Sequence, residues 1–243
     1  MKYIASIIFL FGLMVTGAHA DDEELFKQML LLAQHGDAEA QYHVGMFYNN
    51  GIGTSKNIPH AFEWFQKSSS SNNPLGAYKV GCYYSGQGRG YIDVDHAKAL
   101  EYKMVAAKAG YALAQYDVAS LFLYNGNIDE AIKWWRMAGD QGHFDSLYTL
   151  FNLYYQGKKI SRDLPSAYLY LKLAIATRAG EPSAQLKSVM NELINTVSQA
   201  DRDKMDKSIS EWKIQPTELT IKAMQGLREA EDYLKNHVPQ SQE

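Results

Sequence analysis

The sequence contains a single cysteine, Cys82, among 243 residues. A lone cysteine cannot form an internal disulfide, so packing must hold the fold together even in an oxidising compartment. An excess of positive charge is also missing, because 24 Lys and Arg residues stand against 27 Asp and Glu residues and the formal net charge is −3. Proteins that bind nucleic acid through its phosphates are usually basic, so we expect no nucleic-acid partner.

The sequence also lacks the motifs of common metal and catalytic sites. Its seven histidines form no His-Glu-x-x-His pair and no His/Cys cluster with zinc-ligand spacing. The glycine-rich run over residues 86–90 is similar to a phosphate-binding loop, but it lacks the preceding strand and the Lys-Ser/Thr ending of such loops. We therefore predict no catalytic residue, no metal and no cofactor.

An uncharged apolar stretch covers residues 4–15. It is shorter than the roughly 20 apolar residues that span a bilayer, which argues against the alternative of an uncleaved membrane anchor. Ala18 and Ala20 are small residues that stand just before Asp21, as in a signal-peptidase site. We predict a signal peptide over residues 1–20 with a cut after Ala20. The mature protein is then periplasmic or secreted, without stable membrane insertion.

What the sequence has in abundance is an internal repeat. Copies of one pattern begin at Gly36, Asn72, Gly110 and Gly142, and a fainter fifth copy begins at Gly180. Their spacings of 36, 38, 32 and 38 residues are typical of repeats that consist of one helix pair. In each copy a small residue opens the first helix, and large apolar side chains follow four and eight positions later, on one helix face. The opening residues are Ala40, Gly76, Ala114 and Ser146.

The second helix of each copy has columns of its own. An alanine is followed three residues later by Trp64, Tyr102, Trp134 or Tyr170. Small and large residues at such spacings are typical of antiparallel helices that pack closely. This column predicts that Trp134 lies in the core and that its neighbour Trp135 is free at the surface.

These residues resemble a known family. From Gly36 to Trp64 the first copy reads G-x-x-x-A-x-Y-x-V-G-x-x-Y-x-x-G-x-G followed by A-x-x-W. This pattern is similar to the Sel-one-like repeat, a relative of the tetratricopeptide repeat, and the likeness covers about residues 33–180. The resemblance implies an all-α fold, a right-handed α-solenoid of helix-turn-helix repeats. It also implies a scaffold for protein–protein interaction, often in secreted or periplasmic bacterial proteins.

The repeats and their flanks predict an order of segments along the chain. After the signal peptide we expect a capping helix over residues 21–35 that covers the first repeat. The four repeats are expected over about residues 36–71, 72–109, 110–141 and 142–179. A helical C-terminal cap over residues 181–236 and a disordered tail over residues 237–243 complete the prediction.

A binding surface is expected on the first helices of the repeats. Positions two, three and six residues after the opening small residue point away from the buried stripe. We predict that a partner binds there, on the concave face, at Tyr42, His43, Met46, Tyr78, Lys79, Tyr116, Asp117, Tyr148, Thr149 and Asn152. Tyrosine suits such a surface because it offers a large apolar face and a hydroxyl. The alternative is that the four tyrosines pack between neighbouring first helices, because stacked repeats bury a continuous core.

Two functions remain open at this point. The first, which we favour, is a monomeric, non-enzymatic scaffold or adaptor that binds a protein or peptide in the periplasm or outside the cell. The second is a glycan-binding module of the cell envelope, or an enzyme module related to β-lactams and peptidoglycan. Some cysteine-rich members of the family have been associated with such activities. Those members use a pair of cysteines in each repeat, whereas this sequence has only Cys82.

Overall fold

A computed structural model describes residues 21–237 of the protein. The predicted signal peptide and residues 238–243 of the predicted disordered tail lie outside this part of the chain. Residues 21–237 are folded as helices joined by turns and short loops, with no β-strand among them. The prediction of an all-α fold of helix-turn-helix repeats is therefore confirmed.

The helices follow one another at short intervals, and many contain 13 residues. Helix α1 covers residues 21–34. The others are α2 (Ala38–Asn50), α3 (Ile58–Ser70), α4 (Pro74–Cys82), α5 (His96–Lys108), α6 (Ala112–Tyr124), α7 (Ile128–Asp140), α8 (Phe144–Gln156), α9 (Leu164–Ala176), α10 (Ala184–Thr196), α11 (Gln199–Glu211), α12 (Glu218–Gln225) and α13 (Leu227–His237). A π-helical segment, Tyr83–Gln87, extends α4.

The described residues form two compact units. Unit 1 contains residues 21–105 together with residues 222–237, and unit 2 contains residues 106–221. In unit 1, α2 packs against α3, and in unit 2, α6 packs against α7 and α8 against α9. Each of these is a first and a second helix of one repeat. A glycine with positive φ ends α2 at Gly51 and α8 at Gly157, because only glycine adopts this left-handed cap without strain.

Small residues let neighbouring helices approach closely within each unit. In unit 1, a Cβ atom added at Gly45 of α2 would lie 2.6 Å from the ring of Phe65 in α3. In unit 2, a Cβ at Gly139 of α7 would lie 2.7 Å from a methyl group of Leu147 in α8. The large side chain of one helix thus fills the space that the glycine of the other leaves open.

The buried face of α7 differs from the prediction. Trp135 is only 2% exposed, whereas Trp134 is half-buried at the edge of the core of unit 2. The assignment of Trp134 to the core and Trp135 to the surface was therefore wrong. The most deeply buried large residue of a second helix stands four positions after the alanine, where α3 has Phe65 and α9 has Leu171. The residue three positions after the alanine lies next to this buried position and is more exposed.

The C-terminal segment of unit 2 packs against the turns that precede α6 and α8. Ile214 lies against Gly142, and Thr217 lies against Gly110. A Cβ atom added to either glycine would lie 2.8 Å from the side chain that packs on it. The main-chain N–H of Gln215 donates to the carbonyl of Asp140 at 3.0 Å. The segment that follows α11 is thus fixed to the repeats by side-chain packing and a main-chain hydrogen bond.

Thr220 supplies an N-cap that α6 lacks. Asp37, Asn73 and His143 cap α2, α4 and α8 with their own side chains, but the N-cap residue of α6 is Tyr111, which makes no such bond. Instead the N–H of Ala112 donates to the hydroxyl of Thr220 at 3.0 Å. That hydroxyl also donates a hydrogen bond to the side-chain oxygen of the buried Gln141 at 2.7 Å. A side chain 108 residues away in sequence therefore satisfies the start of α6.

The Thr220→Val variant should be less stable than the parent protein by about 1–2 kcal/mol, because it removes the acceptor of the Ala112 N–H at the start of α6 and one of the hydrogen bonds of the buried Gln141. Urea unfolding measures this difference. Thr196→Val, at an exposed position near the end of α10, is the matched control and should stay within about 0.5 kcal/mol of the parent. Equal effects of the two substitutions would contradict the capping role.

Candidate functional site

The ten residues predicted to bind a partner define what we call the first-helix face. His43 and Tyr78 are buried, with 3% and 7% of their surface exposed. The other eight are half-buried, and they are Tyr42, Met46, Lys79, Tyr116, Asp117, Tyr148, Thr149 and Asn152. The structure thus places each of these residues partly or wholly in contact with neighbouring groups.

In unit 1 the first-helix face meets the C-terminal helix of the chain. His43 lies with its ring centre 6.2 Å from that of Tyr233 in α13. Ala230 and Leu234 of the same helix join the apolar cluster that contains Val44 of α2. Tyr42 turns towards Phe65 instead, at a ring separation of 6.2 Å. The first repeat therefore already binds an amphipathic helix of its own chain.

A half-buried carboxylate in unit 1, that of Glu39, supports this contact. Glu39 accepts from the side-chain amide of Asn73 at 2.8 Å and lies 3.1 Å from Nζ of Lys222 and 3.3 Å from Nε2 of His43. Burial alone would raise the pKa of Glu39, but His43 and Lys222 together lower it below its ordinary value. The Tyr233 hydroxyl donates to a neighbouring carboxylate, that of the α2 N-cap residue, at 2.8 Å.

In the second repeat, the residues of the first-helix face also pack against neighbouring side chains. Tyr78 is buried within unit 1, and Nζ of Lys103 lies 5.7 Å from the centre of its ring. Burial lowers the pKa of the neighbouring Lys79, and this is partly opposed by Cys82. Neither side chain projects fully into solvent.

The tyrosines of unit 2 contact aromatic rings on neighbouring turns. The ring of Tyr148 stacks on Phe144 at 5.6 Å and contacts Phe151 at 5.5 Å. The ring centre of Tyr116, in α6, lies 5.0 Å from that of His143, which begins α8. The contact of Tyr116 favours the alternative in which the tyrosine column packs between neighbouring first helices, whereas the contacts of Tyr148 lie within α8. The remaining polar positions are then better placed to contact a partner.

An open cavity of about 210 Å³ lies in unit 2 beside two of the predicted positions, Thr149 and Asn152. The full lining consists of Leu123, Trp135, Thr149, Asn152, Leu153, Gln156, Lys158 and Lys159. The sequence analysis missed six of these residues, which come from the end of α6, from α7, from the last turn of α8 and from the loop after it. The pair of lysines directly after the glycine at the end of α8 is the sequence signal that pointed there.

His143 is a titratable residue of structural importance in unit 2. Its Nδ1 accepts the N–H of Ser146 at 3.3 Å and so caps the start of α8. Burial lowers the pKa of His143 below its ordinary value of 6.5, and this is partly opposed by Asp145 and Asp117. A proton on Nδ1 would remove the acceptor and place a positive charge at the positive end of the helix dipole.

Because the folded-state pKa of His143 is lowered, the unfolded chain binds this proton more readily. The contribution of the neutral His143 cap to the free energy of unfolding is fully present above the ordinary pKa of histidine. It is lost as the pH falls below that value. His143→Asn keeps a good capping side chain that does not titrate. We expect the free energy of unfolding to fall less between about pH 7 and pH 5 in this variant than in the parent.

Urea unfolding at several pH values measures this effect. His60→Asn, at an exposed position in α3, serves as the control and should keep the pH dependence of the parent. An unchanged pH dependence in His143→Asn would show that this cap does not control the transition.

The described residues hold few groups suited to other chemistry. Between residues 21 and 237 no three His, Cys, Asp or Glu side chains come together as metal ligands would. No helix in the same range is long and apolar enough to cross a membrane. The lining of the cavity in unit 2 consists of apolar side chains, amides, one hydroxyl and two lysines.

Comparison with known proteins identifies the class of protein. The family model for the Sel1 repeat matches residues 38–73, 74–111, 112–143 and 145–176, which together make up more than half of the chain. The protein therefore belongs to the Sel1 repeat family, as the sequence pattern predicted. Sel1 repeats generally mediate protein–protein interaction.

Several individual proteins share this pattern. The crystal structure of a Sel1 repeat protein from Oxalobacter formigenes is similar, with 26% identity, a TM-score of 0.58 and coverage of 67% of each chain. A putative sel1-like repeat-containing protein of Acanthamoeba polyphaga mimivirus is 31% identical over 54% of this chain and 24% of its own length. A Neisseria meningitidis serogroup B protein is 28% identical over 58% of this chain and 29% of its own. The chain thus spans only about a quarter of these two relatives.

Proposed function

We propose that the protein is a non-enzymatic scaffold or adaptor that binds a partner protein or peptide on its first-helix face. It acts in the periplasm or outside the cell, as the signal peptide expected at residues 1–20 implies. The single observation that carries the binding site is the cavity beside Thr149 and Asn152. Both residues also belong to the positions that the repeat pattern of the sequence predicts to face a partner.

The contacts of unit 1 support the same function. There the first-helix face packs against an amphipathic helix, with His43 against Tyr233 and apolar contacts from Leu234. A helix whose apolar side lies in a groove is a common form of peptide recognition. The repeat surface of this chain is thus suited to bind protein segments.

At the proposed site, the size of the cavity favours one side chain of a partner over a glycan or a β-lactam. Sites for small molecules usually enclose about 300–1,000 Å³. The cavity in unit 2 measures about 210 Å³ and is open to solvent. A site of this size suits one side chain of a larger partner.

Photo-crosslinking in the producing cells tests the proposal. With p-benzoylphenylalanine in place of Thr149, on the first-helix face, we expect one discrete crosslinked protein. The same group in place of Lys133, on the exposed side of α7, is the matched control and should give none. Equal labelling from both positions, or none from Thr149, would contradict the proposed surface. Hydrolysis of a β-lactam by the purified protein would favour the alternative function.

A further inference from the structure

The walls of the cavity in unit 2 are largely apolar. Leu123 at the end of α6, Trp135 in α7 and Leu153 in α8 approach from three helices of the unit. Trp135 is fixed in place, because it is 2% exposed and belongs to the core cluster. A rigid apolar wall of this kind favours a large apolar side chain, since no ordering of the receptor is required.

The rim of the cavity is basic. Lys158 and Lys159 line it, and both are exposed. Among the described residues neither lysine makes an ion pair, whereas the nearby Arg162 lies 3.9 Å from Glu192. Two lysines without acidic partners attract a negatively charged ligand, in a chain whose overall net charge is negative.

We propose that the cavity takes one leucine or phenylalanine side chain of a partner segment and that Lys158 and Lys159 bind acidic residues that flank it. This inference rests on the proposed function and specifies the partner, an acidic peptide with an apolar anchor. Thr149 and Asn152 stand at the edge of the cavity and are placed to contact the main chain of the segment.

Fluorescence anisotropy with three labelled seven-residue peptides tests this inference on the purified full chain. The first peptide has a central leucine with two glutamates on each side, the second has alanine at the centre, and the third has lysines in place of the glutamates. We expect saturable binding of the first peptide and binding at least about tenfold weaker for the other two. Binding of the first peptide should also weaken as salt is added.

Variants locate the binding. Lys158→Glu combined with Lys159→Glu should weaken binding of the acidic peptide by at least about tenfold, and so should Thr149→Trp, which fills the cavity. Lys204→Glu combined with Lys207→Glu makes the same charge change at exposed positions of α11 and should leave the affinity within about twofold. Circular dichroism melting curves establish that each variant is folded.

The inference is overturned if the acidic peptide does not saturate, if the basic peptide binds as tightly, or if both lysine pairs have equal effects. Crosslinking of a protein through Thr149 in cells, together with no binding of the acidic peptide, would leave the proposed function standing and remove only this partner chemistry. Failure of both experiments would remove both.

Discussion

The structure depends on a contact between a very small residue of one helix and a larger side chain of the next. Gly45 leaves room for the ring of Phe65, and Gly139 leaves room for Leu147. Gly76 similarly faces Ser68, whose oxygen would lie 2.5 Å from an added Cβ. Because these contacts set how near the helices lie within a unit, they also determine which side chains of the first helices remain accessible.

The binding function depends on the side chains that remain accessible once the helices have packed. The tyrosines of the repeats pack against other rings, as the contact of Tyr116 in α6 with His143 at the start of α8 illustrates. In α8 the polar residues Thr149 and Asn152 border a cavity instead of filling the core. In a protein built from similar helix pairs, a few positions outside the packed core thus determine which partner is bound.

The sequence predicts the parts of this molecule that repeat. Helices and turns follow from columns such as Ala40, Gly76, Ala114 and Ser146, because a local pattern that recurs four times is unambiguous. Two candidate positions at the cavity were found in the same way. The exchange of Trp134 and Trp135 shows the limit of the method, since helix positions three and four residues from the alanine lie close on one face.

Contacts that occur only once in the structure could not be predicted from the sequence. The cap that Thr220 gives to α6 joins residues 108 positions apart, and the bond from Tyr233 to Asp37 joins residues 196 apart. No periodic pattern marks such pairs. The lone sequence hint is Tyr111, an aromatic residue that cannot cap where the other copies have Asp37, Asn73 or His143.

The stability of the Gly45→Ala and Gly139→Ala variants tests the packing constraint most directly. Inside an ordinary helix, alanine in place of glycine adds up to about 1 kcal/mol of stability. At both positions an added Cβ meets a buried side chain at 2.6–2.7 Å, so the cost of overpacking should exceed that gain and each variant should unfold at lower urea concentration than the parent. Increased stability in both variants would contradict the claim that these close contacts define the fold.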